Sequence, residues 1–199
     1  MVTETCRPGF EKWLGDGKDS LPPKGCVGRL KKVPLCSFTW PSNPRGLDYI
    51  AAGYSLTPFL VMLVATFYGI YRKTMTAASF IILFMFHHPF TSLLKLIFRQ
   101  NRPEGSCSNS CGMPSGHSFM AISTLTFILA RFGSKRPLLS LVCLITLAPV
   151  PWARVQLKDH SVSQVVVGSV LGFIWGFIWL FLQPKLTTLL SQLIRMRRQ

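Results

Sequence analysis

VSQVVVGSVLGFIWGFIWLFL, residues 162–182, runs for 21 positions without one charged side chain. A helix needs about 20 apolar residues to cross the hydrocarbon core of a bilayer. A helix on a soluble core would carry a polar stripe, and this stretch has none. It reads as a membrane span, and the chain around it reads in the same solvent.

Four further blocks lie upstream: Ile50–Tyr71, Thr76–Ile97, a short one from Ser118 to Phe132, and Pro137–Ala153. The expected fold is an all-α polytopic membrane helix bundle with about five transmembrane helices. Pro58, Pro89 and Pro149 inside these blocks are tolerable, because neighbouring helices re-satisfy the backbone. Gly168, Gly172 and Gly176 recur every four residues, a small-residue stripe against which another helix can pack closely. No internal repeat is visible.

The 199 residues are 49% hydrophobic and 15% charged, with the apolar residues gathered in blocks. Three regions follow. Residues 1–48 are rich in Pro and Gly and are expected to be a largely irregular, non-cytoplasmic segment, with Trp13, Phe38 and Trp40 resting at the interface. They hold no apolar run like a signal-peptide core, so no cleaved segment is expected. Residues 49–183 form the membrane-embedded unit. Residues 184–199 form a basic amphipathic tail, with Leu186, Leu189, Leu190, Leu193 and Ile194 at helical spacing, suited to the membrane surface or to a partner helix. The net charge of +15 raises nucleic-acid binding. The cations, however, sit between apolar blocks and at the ends with no nucleic-acid motif, so anionic headgroups or a phosphate-bearing substrate account for them better.

Counting crossings puts the N-terminal segment, the loop after the second block and the loop after the fourth on one face. The other face receives Arg72, Lys73, Arg131, Lys135, Arg136, Lys185, Arg195, Arg197 and Arg198. The positive-inside rule makes that second face cytoplasmic, although Arg29, Lys31, Lys32 and Arg45 pull the other way. Cys6, Cys26, Cys36, Cys107 and Cys111 all fall on the polar-loop face, and Cys143 lies inside a span. A lumenal or periplasmic face permits disulfides, for instance Cys107 with Cys111, the alternative being free thiols. A zinc site from Cys107, Cys111 and His117 lacks a fourth ligand.

Three polar clusters share that face: Lys95 to Arg102-Pro103, Pro114-Ser115-Gly116-His117, and Arg154 followed by His160. Singly, Lys95 reads as a snorkelling cation and the arginines as headgroup anchors. Together, three cations, a helix start and two histidines make an anion site. The guanidinium forks of Arg102 and Arg154 match phosphate oxygens, and Lys95 adds a point charge. Ser115 and Gly116 open a helix whose N–H groups and dipole favour an anion, with Gly116 allowing close approach and Ser115 offering a hydroxyl. Two histidines beside such a site suit hydrolysis through a covalent intermediate, one attacking phosphorus and the other protonating the departing oxygen. His87 and His88 precede Pro89 in the second block. His88 stands two turns before Lys95 and could share its face, but such histidines more often bond a neighbouring helix.

The pattern Lys95-x6-Arg102-Pro103, Pro114-Ser115-Gly116-His117 and Arg154-x5-His160 resembles the three signature motifs of the type 2 phosphatidic acid phosphatase superfamily. The resemblance covers roughly residues 50–182. It implies that His160 is the nucleophile forming a phosphohistidine and His117 the acid, with Lys95, Arg102, Ser115, Gly116 and Arg154 holding the phosphoryl oxygens. It also implies no metal and no cofactor. Two positions depart from that family's usual pattern: Ala153 stands where Ser usually precedes the arginine, and Gln164 stands where an Asp usually follows the nucleophile by four residues. Gln164 is one turn from His160 and can accept its ring N–H, but cannot neutralise an imidazolium. Asp159, the immediate neighbour of His160, should point elsewhere.

Arg154-Val155, His160 and Ser163-Gln164-Val165, with Gly112-Met113-Pro114-Ser115, look most like the dolichyl diphosphate phosphatase subgroup, although that subgroup usually has Ser at the position of Gly116. This likeness implies cleavage of a polyprenyl diphosphate to the monophosphate on the lumenal face of the endoplasmic reticulum, in service of protein glycosylation. The partners implied are a polyprenyl-phosphate lipid and membrane lipids, with no nucleic acid. A general lipid phosphate phosphatase and a catalytically silent membrane scaffold are the competing readings, and Gln164 is the feature that favours the scaffold. Oligomeric state is not legible.

Overall fold

The computed structural model describes residues 6, 31–33, 38–41, 43–72, 75–104, 106–108 and 110–196. Trp13, Cys26, Arg29, Cys36, Lys73, Arg197 and Arg198 lie outside the described residues, as does most of the N-terminal segment. The side chains of Lys31, Lys32, Phe38, Leu190, Leu193, Ile194 and Arg195 are also outside them.

Each block expected to span is helical: α1 (Gly46–Arg72), α2 (Met75–Phe98), α3 (Gly116–Phe132), α4 (Pro137–Leu147) with α5 (Val150–Gln156), and α6 (Val162–Met196). By length and composition, Gly46–Arg72, Pro137–Gln156 and Val162–Leu189 are long and apolar enough to cross a membrane. α3 has only 17 residues, about 26 Å at 1.5 Å per residue, close to the thickness of the hydrocarbon core. The fold is a helical membrane bundle, with its polarity turned inside out. Leu138, Val142, Ile145, Val170, Phe173 and Phe181 are exposed on the outer faces, while Arg154, Asp159, His160 and Gln164 are buried. Lipid solvates the first set at no cost, and the second must be bonded inside the protein.

The prolines account for the irregularities. Pro58 cannot donate to the Tyr54 carbonyl one turn back; instead the Thr57 hydroxyl lies 2.8 Å from the carbonyls of both Tyr54 and Thr146, tying α1 to α4. Pro149 separates α4 from α5, so the fourth span is broken and ends in a short helix carrying Arg154 in its last turn. Pro184 does not end α6. Residues 184–196, expected as an amphipathic tail, continue that helix through Pro184 without a break.

The glycine stripe is a seam between α3 and α6, which run parallel. A Cβ on Gly168 would come within 2.6 Å of the Ser115 carbonyl oxygen, one on Gly172 would collide with the Phe119 carbonyl, and one on Gly176 would lie 2.8 Å from the Ser123 carbonyl. Both helices step by four residues, so the contact repeats each turn. The seam brings the N-terminal ends of α3 and α6 together, where Ser115 N–H donates to the Gln164 carbonyl at 3.1 Å.

The N-terminal segment contributes a two-stranded antiparallel ribbon, β1 (Lys31–Val33) and β2 (Phe38–Trp40), with Thr39 opposite Lys32. Trp40 packs edge-on against Tyr49 at 5.1 Å. Cys6 is bonded to Cys111, and Cys107 is also disulfide-bonded. The Cys107–Cys111 pairing is therefore corrected: a bridge from the N-terminal segment takes Cys111 instead. The zinc site fails with it, because both thiols are used.

Candidate active site

The loop segments after α2 and after α5, the N-terminal ends of α3 and α6, and strand β2 meet at one end of the bundle. Two non-glycine residues with left-handed backbone make the turns. Arg99 (φ 42) follows α2 and Lys158 (φ 55) follows α5, each at a local cost of order 1 kcal/mol. Arg99 turns the chain towards Gln100–Arg102, and Lys158 turns it towards Asp159 and His160.

His160, 2% exposed, is held at both ring nitrogens. Nδ1 lies 3.1 Å from Gln164 Oε1, and Nε2 lies 3.1 Å from Arg102 Nη1. The tautomer follows from the partners. The Gln164 amide nitrogen sits 2.7 Å from the Asn101 carbonyl and 3.2 Å from Gln100 Oε1, and a carbonyl can only accept. That orients the amide, leaving Oε1 to accept from His160 Nδ1–H and from the Ser161 N–H at 3.3 Å. The lone pair of His160 is therefore on Nε2, facing a guanidinium that can only donate. Gly112 makes room for this: a Cβ there would reach within 2.6 Å of Gln164 Cδ.

The cations cluster around this imidazole. Burial first, then the charges of Arg102, Arg154 and Lys95 and the neighbouring His117, push the His160 pKa well below the usual imidazole value of 6.5. Arg102, lowered to about 10 chiefly by burial, stays a cation at neutral pH. Its guanidinium is spread over the site: Nε donates to the Ser110 carbonyl (2.9 Å), Nη2 to Ser110 Oγ (3.0 Å), and Nη1 to the Asp159 carbonyl (2.9 Å). Arg154, 1% exposed, pairs with Asp159 at 3.1 Å, and its backbone carbonyl accepts the His160 N–H at 3.2 Å.

Ser115 is fully buried at the N-cap of α3 and makes no side-chain cap bond; Ser118 Oγ donates to its hydroxyl at 3.0 Å. The first-turn N–H groups, including that of Gly116, thus keep their donors for an anion. Around Gly116 a Cβ would meet only Thr91 Oγ1 at 3.9 Å, so the backbone there has open space beside it. His117, half-buried in the first turn, stands edge-on to Phe59 at 5.5 Å. Its Nε2 is buried with no hydrogen-bond partner among the described residues, a state it shares with the indole nitrogens of Trp175 and Trp179. Lys95 lies in the last turn of α2. Among the described residues no group of three or more His, Cys, Asp or Glu is arranged to hold a metal ion.

The eight sequence-chosen residues thus gather at one end of the bundle. His88 is exposed, so it does not sit beneath the site; His87 is the inward one, packed on Phe119 at 4.6 Å. Asp159 does point away from the His160 ring, as expected of an adjacent residue, and its partners are Arg154 and Thr39. Sequence reading missed Thr39, Gln100, Asn101 and Ser110. Only proximity to Arg102 could have suggested the last three, and nothing in the chain marks Thr39.

A family model described as the PAP2 superfamily matches residues 73–187. Among solved structures, the chain is similar to the first transmembrane PAP2 type phosphatidylglycerolphosphate phosphatase from Bacillus subtilis. The TM-score is 0.57 at 21% identity, over 72% of this chain and 79% of that one, a likeness of fold. No curated protein sequence matches the chain.

Proposed function

The chain belongs to the PAP2 superfamily, and from that premise we propose that it is a membrane lipid phosphatase working through a phosphohistidine on His160. The observation that carries this reading is the ring setting of His160, with Nδ1–H on Gln164 Oε1 and the Nε2 lone pair aimed into the cation cluster. A silent scaffold has no need for a neutral, tautomer-fixed imidazole beside Arg102, Arg154 and Lys95.

The chemistry then runs in two displacements. Arg102, Arg154, Lys95, the Ser115 hydroxyl and the Gly116 N–H take the phosphoryl oxygens. Arg102 exchanges His160 Nε2 for one of them and uncovers the lone pair. Nε2 attacks phosphorus in line and the bond to the leaving oxygen breaks; His117, carrying a proton as the imidazolium once the substrate's negative charge offsets the cations, gives it to that oxygen. A water then attacks the phosphohistidine with His117 taking its proton. The P–N bond breaks, and phosphate leaves. No metal takes part.

The substrate we infer is a polyprenyl, specifically dolichyl, diphosphate cleaved to the monophosphate. Its support is the run Arg154-Val155, His160, Ser163-Gln164-Val165 and the neutral Gln164. A phosphate leaving group needs less help than an alkoxide, so an uncharged partner for the nucleophile suffices. The site faces the lumen of the endoplasmic reticulum in this reading. The Cys6–Cys111 bridge at that end supports an oxidising compartment, and exposed Arg72, Arg131, Lys135 and Arg136 at the other end support a cytoplasmic side there.

The test is phosphate release by the purified protein, with excess chelator, from dolichyl diphosphate and from phosphatidic acid. The expected result is release from the diphosphate, abolished in His160→Ala. Equal or faster release from phosphatidic acid would transfer the assignment to a general lipid phosphate phosphatase. Release from neither would leave the scaffold.

A further inference from the structure

Asp159 is fully buried among the cations of a site read as binding an anion. By Coulomb's law alone it is misplaced, because its charge repels phosphate. Its bonds give the reason for it. Oδ2 lies 3.1 Å from Arg154 Nη2, both side chains 1% exposed. Oδ1 accepts the Thr39 hydroxyl at 2.7 Å, and the Thr39 N–H lies 3.1 Å from each carboxylate oxygen. The main-chain carbonyl of Asp159 accepts Arg102 Nη1 at 2.9 Å. One residue thus touches both arginines, one through its side chain and one through its backbone, and it immediately precedes His160.

Thr39 is the far end of this strut. It lies on β2, 120 residues away in sequence and outside the stretch matched to the family. Its hydroxyl oxygen also accepts the Cys107 N–H at 3.0 Å, which locks the rotamer that reaches Asp159. A guanidinium gripped from behind by a carboxylate is fixed in plane, and its orientation towards an oxyanion is set before the anion arrives.

We propose that Thr39 and Asp159 are positioning residues for Arg154, so that the N-terminal ribbon is a working part of the phosphate site. This rests on the reading of Arg154 as a phosphate ligand. It goes beyond that reading by assigning a role to a segment that the family match does not cover.

The sign of one effect separates this from the alternatives. If Asp159 only adds negative charge, Asp159→Asn tightens anion binding. If it serves stability alone, phosphate affinity stays put while the melting temperature falls. Positioning demands weaker binding, about tenfold for loss of one charge-assisted hold. The measurement is calorimetric binding of inorganic phosphate to the full chain in detergent, alongside lipid phosphate hydrolysis and thermal unfolding. Thr39→Val should weaken phosphate by about three- to tenfold, Thr39→Ser should restore it, and in an Arg154→Ala background Thr39→Val should add nothing. Unchanged or tighter phosphate binding in Asp159→Asn, or full additivity with Arg154→Ala, overturns the proposal. Should Asp159→Asn not fold, the Thr39→Val and Thr39→Ser pair decides by the same criterion. A wild-type chain that binds phosphate through this strut yet hydrolyses no lipid phosphate would end the phosphatase reading and leave this inference standing. Wild-type hydrolysis with phosphate affinity indifferent to Asp159 would do the reverse.

Discussion

Gln164 spends its amide on four bonds: its nitrogen donates to Asn101 and Gln100, and its oxygen accepts from His160 Nδ1–H and the Ser161 N–H. A carboxylate cannot make all four. Gln164→Glu would set an oxygen against the Asn101 carbonyl with no proton between them, a buried acceptor clash of about 1–3 kcal/mol. We therefore expect Gln164→Glu to lower the melting temperature in detergent without raising kcat, despite the better partner it offers an imidazolium. Gln164→Leu removes the acceptor altogether and frees the tautomer. Its expected signature is a kcat drop of about 100-fold with little change in KM. The pH dependence follows from His160. Burial and three cations favour its neutral form, so the folded pKa lies below the unfolded 6.5. In the proposed nucleophilic role His160 accordingly stays competent as pH falls through 6.5, and the acid limb of kcat/KM should lie below that value. Stability moves the other way. Below 6.5 the unfolded chain takes up a proton that the folded site refuses, so this contribution is lost as pH drops from 6.5 towards the folded pKa. Activity and unfolding profiles recorded between pH 4 and 8 would check both signs.

At the level of elements, the α3–α6 seam sets how far Ser115 and His117 stand from His160 and Gln164. Three glycines on one face make this possible, and each meets a backbone carbonyl of α3 where a side chain would have to go. Gly172 is deepest in the seam, opposite Phe119. Gly172→Leu should force the helices apart, with an overpacking cost of about 1–3 kcal/mol or more. Because these helices carry both halves of the proposed site, kcat should fall along with stability. Gly53, inside α1 with nothing within 4 Å of an added Cβ, is the control: Gly53→Ala should leave kcat unchanged and hold or slightly raise the melting temperature. Thermal unfolding and hydrolysis rates on the two variants provide the comparison.

The whole molecule keeps its polar bonds at one end and its apolar surface around the waist. Cys6–Cys111 closes a stretch of 105 residues across that end, linking the N-terminal segment to the loop that leads into Ser115. Two orientations in the bilayer are compatible with the bundle, and the proposed lumenal site requires one of them. In sealed, cytoplasmic-side-out vesicles, a membrane-impermeant phosphine should leave Cys6–Cys111 intact. Opening the vesicles with detergent should let it reduce the bridge, read as a mass shift after thiol alkylation. Reduction in sealed vesicles would put the site on the cytoplasmic side.

Much of this was legible in the chain before any tertiary contact was known. Uncharged runs such as 162–182 can be solvated only by lipid, and motif spacing singled out Lys95, Arg102, Ser115, Gly116, His117, Arg154, His160 and Gln164. Those are local properties: helix length, helical periodicity and residue chemistry depend on neighbours in sequence. What tertiary structure decided is which polar atoms meet. The orientation of the Gln164 amide, the grip of Arg102 on His160 Nε2, the bridge to Cys111 and the reach of Thr39 to Asp159 each join residues distant in sequence. No periodicity encodes a bond across 120 residues. It exists because a buried carboxylate must find donors, and the ribbon brings them.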